Sequence, residues 1–145
     1  MTVLLDSSTL VAGLWSGHPR HLVAARWLAR SKRGEVQASV SAHGLAEAYA
    51  VLTGLPVVPR LHPTLVNQAL EDVLTYVRPA ALALDAHLSA LAQAPNAGAI
   101  GGAVYDFLHI ATARQESCEA IVTLNPKDFQ RLSRGIPPRI IDGTE

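Results

Sequence analysis

Asp6 closes the apolar run Val3-Leu4-Leu5, and Glu47 lies inside the largely apolar stretch from Gly44 to Leu52. Asp106 lies inside Ala103-Val104-Tyr105-Asp106-Phe107-Leu108-His109-Ile110-Ala111, and Asn125 and Asp128 follow directly on Ala120-Ile121-Val122-Thr123-Leu124. Carboxylates rarely enter apolar surroundings unless paired or metal-bound, because isolated burial is costly. Four such intrusions in a chain with only 12 Asp and Glu point to one shared site that holds a divalent cation. Carboxylate, carbonyl and water ligands suit the hard ions Mg²⁺ or Mn²⁺. No cysteine pair and no HExxH spacing supports zinc.

The elements that must position these residues alternate between strand and helix. Val3 to Leu5 reads as a buried strand, followed by an N-cap in Ser7-Ser8-Thr9 and a helix from about Leu10. Gly17-His18-Pro19 breaks that helix, and Leu22 to Ala29 marks a second one running to the turn before Gly34. Glu35 to Ser39 is a short strand, and Ser41 caps a helix reaching about Leu52. Pro63 opens a further helix, Tyr76-Val77-Arg78 is a third strand ended by Pro79, and Asp85 to Ala94 is helical. After a Gly/Ala-rich loop from Pro95 to Gly102 come a helix from Val104 to about Glu116, strand Ala120 to Leu124 and a last strand at Arg139-Ile140-Ile141. This order predicts an α/β domain whose mostly parallel sheet is covered on both faces. In such sheets ligands collect beyond the C-terminal strand ends, where Asp6, Asn125 and Asp128 would lie, with Glu47 and Asp106 on helices that can face them.

The length of 145 residues suits a single domain spanning 1–145. The lone Cys118 excludes an internal disulfide. No basic segment precedes an apolar one at the N-terminus, and no run approaches the ~20 apolar residues that span a bilayer. A cytoplasmic protein without membrane attachment is therefore expected. The net charge of zero argues against a strong overall basic field. Its distribution is uneven, however. Arg20, Arg26, Arg30, Lys32 and Arg33 form one acid-free run, and Lys127, Arg131, Arg134 and Arg139 form a second basic cluster. These are either solvated helix faces or phosphate guides beside the acidic site.

Plainer roles remain open for each residue. Asp6 could cap the following helix, Glu47 could pair with His43 one turn earlier, and Asp106 could bond His109 three residues on. Asn125-Pro126 could be an ordinary turn, and Asp128 the N-cap of a last helix. His109 reads as a supporting or packing residue, while His18, His21, His62 and His87 read as surface. Trp15 and Trp27 could stack on bases but fit packing between helices better.

Taken together, Val3-Leu4-Leu5-Asp6-Ser7-Ser8, Glu47, Val104 to Ala113 and Val122-Thr123-Leu124-Asn125-Pro126-Lys127-Asp128-Phe129 resemble the PIN-domain ribonucleases, and among them the VapC-type toxins, over essentially the whole chain. The resemblance implies a three-layer α/β/α fold and metal-dependent hydrolysis of RNA. Asp6 and Asp106 match the family's main metal ligands and Glu47 its third acid. Asp128 is favoured as the additional acid, with Asn125 and Thr123 orienting it or a metal-bound water, and Ser8 touching the site near Asp6. Arg20, Arg26 and Arg30 are candidate substrate contacts. The resemblance also implies a cognate antitoxin partner and a homodimer. A housekeeping RNA-processing nuclease and an inactive binding module are the alternatives.

Overall fold

The computed structural model describes residues 1–145. In chain order its elements are β1 (Thr2–Leu5), α1 (Ser7–Leu14), α2 (His21–Lys32), β2 (Gln37–Ser41), α3 (Ala42–Gly54), α4 (Pro63–Val73), β3 (Arg78–Ala80), α5 (Leu84–Ala97), α6 (Ala103–Gln115), β4 (Ala120–Thr123), α7 (Pro126–Ser133) and β5 (Arg139–Asp142). The strands form one sheet in the order β3-β2-β1-β4-β5, and every neighbouring pair is parallel.

Alternation along β1 shows how the layers arise. Val3 and Leu5 enter a core shared with Leu10, Trp27, Val40 and Leu52, which is covered by α1 to α4. Leu4, between them, points to the opposite face and packs with Phe107, Ile110, Ile121 and Phe129 beneath α5 to α7. All three β1 side chains are fully buried, and each contributes roughly 2 kcal/mol by leaving water. The result is the expected α/β/α sandwich, with a sheet that is parallel throughout.

β1 lies at the centre of the sheet. The chain leaves it toward β2 and β3 on one side and returns to β4 and β5 on the other. This reversal opens a crevice beyond the C-terminal ends of β1 and β4, the usual ligand position in such a sheet. Residues 6 and 123–125 sit there by construction.

Several boundaries differ from the sequence reading. α1 begins at Ser7 rather than Leu10, because Asp6 and not the Ser7-Thr9 segment is its N-cap. β2 starts two residues late, since Glu35 is held in a turn by its backbone bond to the Arg30 carbonyl. That shift carries Ser41 to the strand end, where it caps α3 as expected. β3 contains Pro79 instead of ending at it; β3 is an edge strand, where a missing N–H is tolerated. The turn after α4 occupies Tyr76 and Val77, both bonded back to Val73. α5 runs past Pro95 to Ala97 and stops at Gly98, whose φ of 72° suits a residue without a side chain. No helix is long and apolar enough to cross a membrane.

Candidate active site

Asp6 is 3% exposed and its carboxylate is fully engaged. Oδ1 accepts from the Ser8 hydroxyl at 2.7 Å and the Thr9 amide at 3.0 Å, and Oδ2 accepts from the Thr123 hydroxyl at 2.7 Å. The Thr9 hydroxyl lies 3.1 Å from Oδ1 and 3.0 Å from the Val122 carbonyl. Asp6 thus does cap α1, and it also ties the end of β1 to the end of β4. Thr123 in turn accepts from the Asn125 amide at 3.0 Å, and Ser8 accepts from the Leu124 amide at 3.0 Å. One network therefore fixes Asp6, Ser8, Thr123 and the Asn125 backbone across the crevice.

Asp106 sits in the first turn of α6, half-buried and with no hydrogen-bond partner for its carboxylate. Burial, followed by the negative charges of Asp6, Glu47 and Asp128, pushes its pKa up to about 6 against an opposing influence from His109. The four acids therefore share one electrostatic environment. No Lys or Arg forms an ion pair with any of them.

Glu47 comes from α3. Burial tends to raise its pKa, but the His109 hydrogen bond, the charges of His109 and His43 and a nearby Ser7 hydroxyl overcome this and hold it below the ordinary carboxylate range. The anticipated pairing with His43 is present at 3.8 Å, yet the shorter contact, 3.1 Å, is from His109 Nε2. His109 does not bond Asp106, contrary to the i+3 expectation: its ring is fully buried and reaches across to α3 instead. His43 Nε2 lies 3.2 Å from the Tyr105 carbonyl, and burial together with neighbouring His109 pushes its pKa down to about 4. The donor atoms of His43, Glu47 and His109 all lie within 4.8 Å of one another. Asp6 and Asp128 are near enough for their charges to act on Asp106.

Asp128 is exposed in the first turn of α7 and does not cap that helix. Asn125 occupies the N-cap position without a side-chain capping bond, and Pro126 follows at the first helical position. The exposed amide of Asn125 and the carboxylate of Asp128 stand at the crevice rim, along a hollow also lined by Arg20 and Lys127.

The basic run separates in space. Arg20 NH1 donates to the Leu124 carbonyl at 3.2 Å, placing it beside the crevice. Arg26 is exposed farther along α2, and Arg30 lies 3.7 Å from Glu35 and over the Trp27 ring, at the N-terminal edge of the sheet. Arg26 and Arg30 are thus not brought to the acids. Of the second cluster only Lys127 lies there: Arg131 and Arg134 bond the Gly98 and Asn96 carbonyls, and Arg139 lies against Met1. Trp27 is a core residue whose indole donates to the Gly143 carbonyl, so base stacking by it is excluded. Thr9, Ser41 and the bridging role of His109 escaped the sequence reading. The only available signal was hydroxyl residues directly following a strand.

The acid set fits a divalent cation: it is hard, oxygen-rich, without a Lys or Arg partner, and contains a carboxylate that burial and like charges disfavour when ionised.

Comparison with known proteins gives a consistent picture. The PIN domain family model matches residues 3–135. Ribonuclease VapC40 of Mycobacterium tuberculosis is 35% identical over 111 residues, 75% of this chain and 76% of that protein. Among solved structures, VapC20 of M. tuberculosis, described as a sarcin-ricin loop cleaving toxin, superposes with a TM-score of 0.69 at 19% identity, covering 94% of this chain and 97% of the other. VapBC-1 from nontypeable Haemophilus influenzae gives a TM-score of 0.68 at 18% identity, with 100% of both chains covered.

Proposed function

The chain belongs to the PIN domain family, on its VapC ribonuclease branch, and from that premise we propose that it is a metal-dependent endoribonuclease acting as the toxin of a toxin–antitoxin pair. The observation that supports the reading is that Asp106 feels the charges of Asp6, Glu47 and Asp128 at one crevice, with no Lys or Arg paired to any of the four. Asp6 and Asp106 would hold Mg²⁺ or Mn²⁺, with Glu47 as third acid and Asp128, assisted by Asn125, at the rim. Bound there, the ion would neutralise phosphate charge and lower the pKa of a water for attack on phosphorus. Asp6 keeps one orientation because Ser8 and Thr9 donate to it from the first turn of α1 and Thr123 from the end of β4. Glu47 supplies a negative oxygen held by His109. A pure binding module has no use for acids gathered where phosphate must sit.

The test is direct. Purified protein should cut RNA with Mg²⁺ or Mn²⁺, lose all cleavage in EDTA, and recover when the metal is restored. Cleavage undiminished by EDTA would overturn the metal requirement. Induction in a bacterial host should arrest growth, and co-expression of a small adjacent antitoxin should relieve it. Normal growth on induction of an RNA-cutting protein would favour the housekeeping role. The protein is proposed to act in the cytoplasm as a homodimer, with an antitoxin segment crossing the acidic crevice and offering an Arg to its carboxylates.

Arg20 supplies a path for the substrate. It lies on the wall shared by two hollows, one of about 430 Å³ bordered by Ser7, Ser8 and His18, the other of about 400 Å³ bordered by Lys127 and Asp128. A strand laid along both would pass its backbone over this guanidinium. Arg20→Gln is expected to raise KM for RNA with little change in kcat, and to reduce the slope of log affinity against log salt by about 0.7, the value for one single-strand phosphate contact. Arg26→Gln and Arg30→Gln should leave KM and the salt slope unchanged. Binding isotherms across a salt series check all three.

A further inference from the structure

Glu47 is held from behind by a chain of buried hydrogen bonds that spans two helices and a strand end. His109, fully buried in α6, places Nε2 3.1 Å from Glu47 Oε1 and Nδ1 3.0 Å from the Ser41 hydroxyl. Ser41 is 1% exposed, and its oxygen already accepts the Gly44 amide at 3.0 Å. These contacts assign the hydrogens. An ionised carboxylate only accepts, so Nε2 carries the hydrogen shared with Glu47. Nδ1 faces the Ser41 hydroxyl in either state of the ring: a neutral ring accepts the hydroxyl proton there, and a charged ring donates to the hydroxyl oxygen. The Ser41 hydroxyl serves both Gly44 and His109, and both ring nitrogens of His109 are engaged.

The same assignment decides against a metal at His43, Glu47 and His109, close as their donor atoms are. Nδ1 of His109 is engaged by Ser41, and the nitrogen facing Glu47 bears hydrogen, so neither offers a lone pair to an ion beside Glu47. The packing is also shaped to the ring. A Cβ on Gly44 would stand 2.9 Å from His109 Cε1 and 2.8 Å from Ser41 Oγ, so the absence of a side chain there leaves room for the imidazole. His43 also packs against the ring, its centroid 4.2 Å away. Both histidine contacts fall on Oε1, which leaves Oε2 free of them.

We propose that Ser41 and His109 form a positioning relay that fixes the orientation of Glu47 in the reactive crevice. The relay rests on the reading of Glu47 as a site acid given under Proposed function. His109 touches neither substrate nor metal in this scheme; it acts only through Glu47.

A double-mutant cycle isolates that claim. His109→Leu is expected to lower kcat by about tenfold or more, in the range of residues that orient ligating side chains. KM for RNA should stay near the wild-type value, while the Mg²⁺ concentration for half-maximal activity rises. His109→Gln, which retains an amide donor, should recover part of the loss. In the Glu47→Gln background, His109→Leu should cost nothing further. Ser41→Ala should show a smaller loss with the same dependence on Glu47, and it serves as the test if His109→Leu does not fold by circular dichroism. Equal losses in both backgrounds would overturn the relay, as would folded His109→Leu or Ser41→Ala protein with wild-type kcat and Mg²⁺ requirement. A Glu47→Gln protein that cuts at the wild-type rate is a different result, and it would remove Glu47 from the site itself.

Discussion

Asp6→Asn is expected to leave a folded protein that no longer cleaves RNA. Asp6 is the most constrained acid of the crevice, gripped by Ser8 and Thr9 on one oxygen and by Thr123 on the other. An asparagine keeps the shape and can still accept from the Thr9 amide, so α1 retains its cap. Its NH₂ then faces the Thr123 hydroxyl, whose proton loses the carboxylate oxygen it had donated to. That mismatch costs about 1 kcal/mol, the scale of one neutral hydrogen bond, which a domain of this size survives. The chemical loss is far larger. Removing the charge that anchors a divalent cation forfeits about 4 kcal/mol of transition-state stabilisation, or about a thousandfold in rate. Thermal melts and single-turnover cleavage at saturating Mg²⁺ separate the two effects. A folded Asp6→Asn protein cutting at the wild-type rate would remove Asp6 from the machinery.

The contrast between Asp6 and His109 shows which parts of the site could be read from the chain. Asp6 was legible because strand, acid and helix are contiguous: an apolar run that ends in Asp before hydroxyl residues defines its own position at a strand end. Thr123 and Asn125 were legible for the same reason at β4. The relay was not, because Ser41 and Glu47 reach His109 across 68 and 62 residues, and nothing local marks a buried histidine as bonded to one helix rather than another. For Asp106, sequence spacing suggested His109 as partner, whereas the ring reaches across the strand ends to Ser41 and to Glu47 of α3 instead. The basic run failed in the opposite sense. Arg20 and Arg30 look adjacent in sequence, but ten residues of helix span about 15 Å, which separates one end of the sheet from the other. The β2 boundary moved for a comparable reason: a turn anchored by the Arg30 carbonyl outweighed the strand propensity of the residues after Glu35.

Asp106→Asn is expected to move activity and stability in opposite directions. In the metal-free protein this carboxyl titrates at about 6, against an ordinary value of 3.8, because it is half-buried among Asp6, Glu47 and Asp128. A folded-state pKa above the unfolded one means that folding disfavours the ionised form. The charge therefore destabilises the protein above pH 6, and the penalty is lost as pH falls from about 6 toward 4. Unscreened, the rise corresponds to about 3 kcal/mol; solvent reaches much of the group, so about 1 kcal/mol is the expected effect. In EDTA at pH 7 the variant should melt a few degrees above the wild type, and the difference should vanish near pH 4. With Mg²⁺ the order should reverse, because binding to the folded state stabilises the wild type in proportion to the logarithm of metal over Kd, while the variant has lost a ligand. Cleavage should fall by about a thousandfold, as for Asp6. A variant less stable than wild type in EDTA at pH 7 would show that Asp106 is held by favourable contacts rather than by the need for a cation. The same charge repulsion that weakens the metal-free crevice would favour a bound cation, so the melting curves in EDTA and in Mg²⁺ test the proposed function from the side of stability.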